Sequence, residues 1–182
     1  MIVGDKGGEG LVGDLGSALI LKRLKEQELR NFAKICSERI YENGEFFVKQ
    51  GSLGNEFHIL LEGRAGITVR SPEGKDVEVG VIEPGDVFGE ASIFTDLPRT
   101  ASAIARGRCR VAVVSRDPLF AYCDANPKAG LKIFTFVIYS LLRRLGTTSL
   151  DLAHERDSTM TAEEMAKLMK SFPKSLEDIL AG

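Results

Sequence analysis

Between residues 39 and 115 the chain never holds one apolar period for long. Short runs rich in Val, Ile and Phe (Phe46–Val48, Phe57–Leu61, Gly66–Val69, Val77–Ile82, Val111–Val114) alternate with turn residues at Gly51–Asn55, Gly63, Ser71–Gly74 and Pro84–Asp86. Runs this short cannot present a helical core face, and none buries its apolar side alone. Many such segments at this spacing close on one another as an antiparallel barrel or double-sheet roll. The predicted class is therefore mainly β, with helices at both flanks.

The flanks carry the helical period. Residues 1–16 hold six glycines and read as a flexible leader, because such a segment loses much backbone entropy on ordering. A helical stripe follows from Ser17 to about Glu38, with a break near Lys25. After Asp117-Pro118 a short helix is predicted over 118–125, stopped before Asn126-Pro127. A longer one over 127–145 has Gly146 as its C-terminal stop. Phe134, Ile138, Leu141 and Leu145 form a stripe on this helix, and its apolar content requires more than one neighbour. Thr161 and Glu164 fit a capping box ahead of Met165, Leu168, Met169 and Phe172. The organisation read from the sequence is a leader (1–16), a central domain (17–146, with the β region at about 39–115 and the last helices at about 118–145), and a C-terminal helical extension (147–182).

The stretch from Gly85 to Ser102 interrupts the strand alternation and carries the chemistry. Gly89 lets backbone approach a ligand closely. The helix-like turn from Glu90 presents backbone N–H groups that suit an anion. Arg99 returns to the same place with a planar fork for phosphate oxygens. A carboxylate beside a phosphate is repelled, so Glu90 faces a neutral donor such as a pair of ribose hydroxyls. An anion, two hydroxyls and an apolar roll describe a nucleotide with one phosphate.

The run Phe88-Gly89-Glu90-Ala91-Ser92-Ile93, followed by Pro98-Arg99-Thr100-Ala101, resembles the phosphate-binding cassette of cyclic-nucleotide-binding domains. Gly44-Glu45, Gly51, Phe57-His58-Ile59, Gly63 and Gly85-Asp86 extend the resemblance over about residues 20–145. It implies an eight-stranded antiparallel β-roll, jelly-roll-like, flanked by helices. It implies that Glu90 accepts from the ribose 2′-hydroxyl and that Arg99 pairs with the exocyclic phosphate oxygens. Backbone N–H groups near Ala91, Ser92 and Ala101 would complete the cradle, with Phe88 and Gly89 in the same motif. The helix over 127–145 would be a lid that moves when ligand arrives. Thr100 stands where members of the family that prefer cGMP often carry a hydroxyl, and some cAMP binders do too, so the base stays open between the two.

Other classes fare worse. A metal enzyme on a similar roll needs several His and Glu ligands on neighbouring strands, and His58 is the one histidine in the β region. No Ser-His-Asp or Cys-His set is recoverable, since His154 lies beyond the lid helix. The formal net charge of −2 gives no global pull toward nucleic acid, and residues 147–182 show no recognition-helix pattern. No apolar run reaches the ~18 residues of a membrane span. Cys36, Cys109 and Cys123 lack metal spacing and read as reduced thiols of a cytoplasmic protein. The expectation is a non-enzymatic sensor of cAMP or cGMP with no cofactor, acting through a homodimer at the lid helices or an unidentified protein effector, without DNA or membrane. The alternative is a degenerate, ligand-free roll serving as an adaptor.

Overall fold

The computed structural model describes residues 2–3, 9–18, 21–71 and 73–156. The elements are β1 (Ile2–Val3), α1 (Glu9–Ser17), α2 (Glu26–Ala33), β2 (Ser37–Tyr41), β3 (Phe46–Val48), β4 (Glu56–Glu62), β5 (Ala65–Arg70), β6 (Asp76–Ile82), β7 (Val87–Phe88), α3 (Ala91–Phe94), β8 (Ser102–Ala105), β9 (Cys109–Ser115), α4 (Arg116–Ala125) and α5 (Pro127–Arg156). Strands β2 to β9 make the roll as two antiparallel sheets, β2-β9-β4-β7 and β3-β8-β5-β6, and β1 adds an edge beside β2. This is the expected eight-stranded roll with flanking helices.

The two sheets face each other across one core. Leu60, Phe88, Val111 and Val113 from one sheet meet Phe47, Ala65, Ala103 and Ala105 from the other in a single core. Aromatic rings fix its centre, with Tyr41 and Phe47 at 4.5 Å and Phe47 and Phe88 at 5.3 Å between centroids. Strand β4 runs between β9 and β7, so four successive residues, Phe57 to Leu60, are buried. That position explains its nearly continuous apolar sequence.

The flanks depart from the sequence expectation in three places. Residues 9–16, assigned to a flexible leader, form α1 together with Ser17, with Leu11 and Leu15 buried and Asp14 paired to Arg110 at 2.7 Å. Packing of those leucines outweighs the glycine entropy. Ser17 closes this helix rather than opening the next, and α2 begins after Lys25, where Glu28 accepts from the Lys25 N–H at 2.7 Å. Helix α5 runs through a buried Gly146 to Arg156 instead of stopping there; one interior glycine costs about 1 kcal/mol, too little to end a long helix. The extension beyond Arg156, with its Thr161 cap and methionine stripe, lies outside the described residues.

The chain divides into two compact units, Met1–Ile133 and Phe134–Gly182. In the first, Tyr122 donates to the Glu28 carbonyl and Lys132 pairs with the Glu28 carboxylate, both at 2.9 Å, which ties α4 and the start of α5 to α2. In the second, Ile138, Leu142 and Leu145 are exposed along one helix face, while Phe136, Val137 and Ser140 are buried. No helix among the described residues is long and apolar enough to cross a membrane.

Candidate functional site

The site is built where β7 ends. Phe88 is a core residue, 3% exposed, and directs the chain into the roll. Gly89 then takes φ +75°, a conformation costly for any residue with a Cβ. A Cβ there would also lie 2.6 Å from Arg99 Nη1, 3.1 Å from the Glu56 carbonyl and 3.3 Å from His58 Nδ1. Only glycine lets these three groups converge on one point of backbone. The chain next folds into the single turn of α3, which buries Ser92 and Ile93 and leaves Ala91 and Phe94 exposed.

Two carbonyls organise the cluster. Gly89 O accepts from Arg99 Nη1 at 2.8 Å and from Ser92 Oγ at 2.7 Å. Glu56 O accepts from Arg99 Nη2 at 2.9 Å and from Ser92 Oγ at 3.1 Å. These commit two of the five guanidinium donors of Arg99. The Arg99 backbone is held as firmly: its N–H donates to Ser52 O at 2.9 Å and its carbonyl accepts from Gly51 N–H at 2.8 Å. Gly54 completes the socket, since a Cβ there would come within 2.9 Å of Arg99 Nη2.

Charge is concentrated in this pocket. Glu90 is only 4% exposed. Burial draws the Arg99 guanidinium below its ordinary value, and the Glu56 and Glu90 carboxylates oppose that fall. Glu56 itself is held low, first by its hydrogen bonds with Arg39. His58 stacks on Phe88 at 4.9 Å and is 1% exposed. Burial pushes its imidazole down to about 3, with Arg99 and Arg39 adding to the fall and Glu56 resisting it. Neither ring nitrogen has a hydrogen-bond partner among the described residues.

An apolar wall continues from this polar floor. Ile67 packs against the core opposite Ala103 and Gly80. Val69 follows two residues later on the same face, and Val77 stands opposite it. Val77 is half-exposed there, so this inward face opens toward solvent. The geometry offers a guanidinium with unspent donors, a buried carboxylate beside it, and an apolar surface.

Of the residues expected from sequence, Gly89, Glu90, Ser92 and Arg99 meet in this cluster. Ala91 lies exposed at the start of α3, Ala101 lies half-buried before β8, and Thr100 is exposed. The Ser92 N–H is directed to Gly89 O at 3.3 Å. Sequence reasoning missed Glu56, Gly54 and Arg116, and it named His58 without placing it beside Gly89. Glu56 acts through its carbonyl, which has no side-chain signature. Arg116 had one available signal, a cation in the first turn of a helix, where its own helix dipole disfavours it.

Residues 38–126 match the family model described as the cyclic nucleotide-binding domain. The chain is 32% identical over 102 residues, 56% of its length, to a cAMP-dependent protein kinase regulatory subunit of Mucor circinelloides f. lusitanicus, of which it spans 24%. It is similar to the regulatory domain of Toxoplasma gondii PKA, crystallised with cAMP, at 32% identity and a TM-score of 0.58, covering 62% of this chain and 44% of that one. The chain thus spans less than half of either relative. At the level of fold alone it also matches the catabolite activator protein of Thermus thermophilus, with a TM-score of 0.65, 22% identity, and coverage of 76% of this chain and 63% of that one. Residues 38–126, and with them the roll and the segment from Phe88 to Ala101, belong to the cyclic nucleotide-binding domain family.

Proposed function

We propose that this chain is a non-catalytic sensor that binds cAMP or cGMP in its roll and passes the event to its C-terminal helices. The observation that carries this reading is the convergence of the Arg99 guanidinium on Gly89 beside the buried Glu90. Arg99 takes the exocyclic phosphate oxygens with the donors it has not spent. Glu90 accepts from the ribose 2′-hydroxyl, a neutral donor that lets a carboxylate sit near a phosphate. The N–H groups around Ala91 and Ala101 supply the rest of the cradle, with the Ser92 N–H kept on Gly89 O. Phe88 and Gly89 set its floor, and the wall of Ile67, Val69 and Val77 takes the base. The Thr100 hydroxyl is the group on which the choice between guanine and adenine turns. The protein works in the cytoplasm, in keeping with three cysteines that form no disulfide.

Adding nucleotide should raise the thermal midpoint. Ligand at about 1,000 times its Kd stabilises the fold by about 4 kcal/mol. No shift with either nucleotide would favour the ligand-free adaptor instead.

The output runs through a symmetric dimer. Ile138, Leu142 and Leu145 stand 57%, 54% and 63% exposed at i, i+4 and i+7 on α5. Such a stripe left in water is an association hazard, and a two-fold pair covers it with its own copy. Sedimentation should show a dimer that Ile138→Glu converts to a folded monomer. A wild-type monomer at high micromolar concentration contradicts the dimer.

A further inference from the structure

Arg116 is the first residue of α4, and its guanidinium does not serve that helix. A cation in a first turn opposes the helix dipole. The side chain instead reaches the C-terminal end of α3, where the last carbonyls lack intrahelical donors. Its Nη2 donates to Ser92 O at 2.6 Å and to Thr95 O at 2.8 Å, and its Nη1 to Asp96 Oδ1 at 2.7 Å. The Arg116 N–H donates to Asn55 O at 2.8 Å. Asn55 precedes Glu56, whose carbonyl holds Arg99. One residue therefore grips the cassette helix from behind and the Arg99 socket from below, while its own backbone begins α4.

Helix α3 has four residues, too few to hold its shape without outside support. Its internal hydrogen bonds run from Ile93 N–H to Glu90 O and from Thr95 N–H to Ala91 O. The outward face carries Phe94, half-exposed, and the segment after it is exposed from Asp96 to Pro98. Besides the packing of Ser92 and Ile93 and the bond from Ser92 Oγ to Glu56 O at 3.1 Å, the Arg116 fork is what fastens this turn to the body of the domain, and among the described residues it alone holds the C-terminal end at Thr95 and Asp96. A guanidinium can bridge three acceptors in a fixed plane, and a lysine cannot.

We propose that Arg116 is the positioning residue that makes α3 and α4 move as one body, so that a displacement of the cassette on ligand binding is delivered to α4 through this guanidinium. The second half rests on the nucleotide reading above; the first does not.

Hydrogen exchange on the full chain separates the two. Without nucleotide, R116Q should speed exchange at the Ile93 and Thr95 amides by about ten- to a hundredfold, the loss expected for hydrogen bonds from a charged donor. R116K should fall between R116Q and wild type. D96N, which keeps both carbonyl contacts, should stay near wild type. Unchanged α3 exchange in both Arg116 variants overturns the proposal. With saturating cAMP or cGMP, wild type and D96N should change exchange across residues 116–125. R116Q should still bind, as titrated in parallel, yet lose that change. A full response of 116–125 in nucleotide-saturated R116Q overturns the relay, because a merely structural arginine would lower stability and leave the response intact. If wild type binds neither nucleotide, the proposed function falls, and the first arm still decides whether Arg116 holds α3.

Discussion

Replacing Arg99 with alanine should lower affinity for cAMP or cGMP by about 2–5 kcal/mol, since a phosphate charge taken out of water is left without its partner. The same change removes a guanidinium that bridges the Gly89 and Glu56 carbonyls. Glu90→Ala should cost less, about 1–3 kcal/mol, because it removes hydrogen bonds to a neutral hydroxyl. The order of the two is the informative part. Equal and small losses, measured by titration calorimetry on variants that melt cooperatively, would place any ligand elsewhere. Arg99→Lys should not rescue fully, because an ammonium cannot hold both carbonyls and a phosphate in one plane.

The second large effect is on stability against pH. His58 is buried in the roll with its imidazole held neutral, near 3 against an ordinary value of 6.5. The charged groups that act on it are Glu56 on its own strand, Arg39 on β2 and Arg99 after the cassette. Because the folded value is depressed, the unfolded chain binds the extra proton between about 3 and 6.5. The stabilisation is therefore complete above about pH 6.5 and is lost as pH falls. The slope approaches about 1.4 kcal/mol per pH unit, which gives about 2–3 kcal/mol between pH 6.5 and 4.5. His58→Phe keeps the stack on Phe88 and removes the titrating group, so the fall in urea midpoint across that window should shrink to the smaller part owed to carboxylates such as Glu56, which are held low in the folded chain. Equal slopes for wild type and variant would refute the assignment to His58.

How far the sequence could be read depended on whether a feature was local. The cassette was legible because Gly89, Glu90, Pro98 and Arg99 act within one short segment, at a spacing that survives without the rest of the fold. The roll was legible because short apolar runs such as those of β5 and β9 are bounded by turn residues. Strands β2, β7 and β8 were not singled out: Ser37–Tyr41 carries Glu38 and Arg39, Val87–Phe88 has two residues, and Ser102–Ala105 is built from small side chains. Their pairing partners, not their composition, make them strands. Helix α1 was hidden by glycines whose penalty is offset by Leu15, buried completely. Glu56 and Arg116 were hidden for a deeper reason: Glu56 works through its own carbonyl, Arg116 mainly on the carbonyls of Ser92 and Thr95, and these partners lie tens of residues away through backbone groups that every residue type possesses.

The central claim is that the pocket formed by Gly89, Glu90 and Arg99 holds a cyclic purine nucleotide. Isothermal titration of the full chain with cAMP and with cGMP tests it most directly. The account predicts saturable one-site binding by at least one of them at roughly micromolar Kd, about −8 kcal/mol, weakened more by Arg99→Ala than by Glu90→Ala. A folded wild-type chain that gives no saturable heat with either nucleotide, at concentrations up to about 1 mM where even a binding free energy of −4 kcal/mol begins to register, would contradict it.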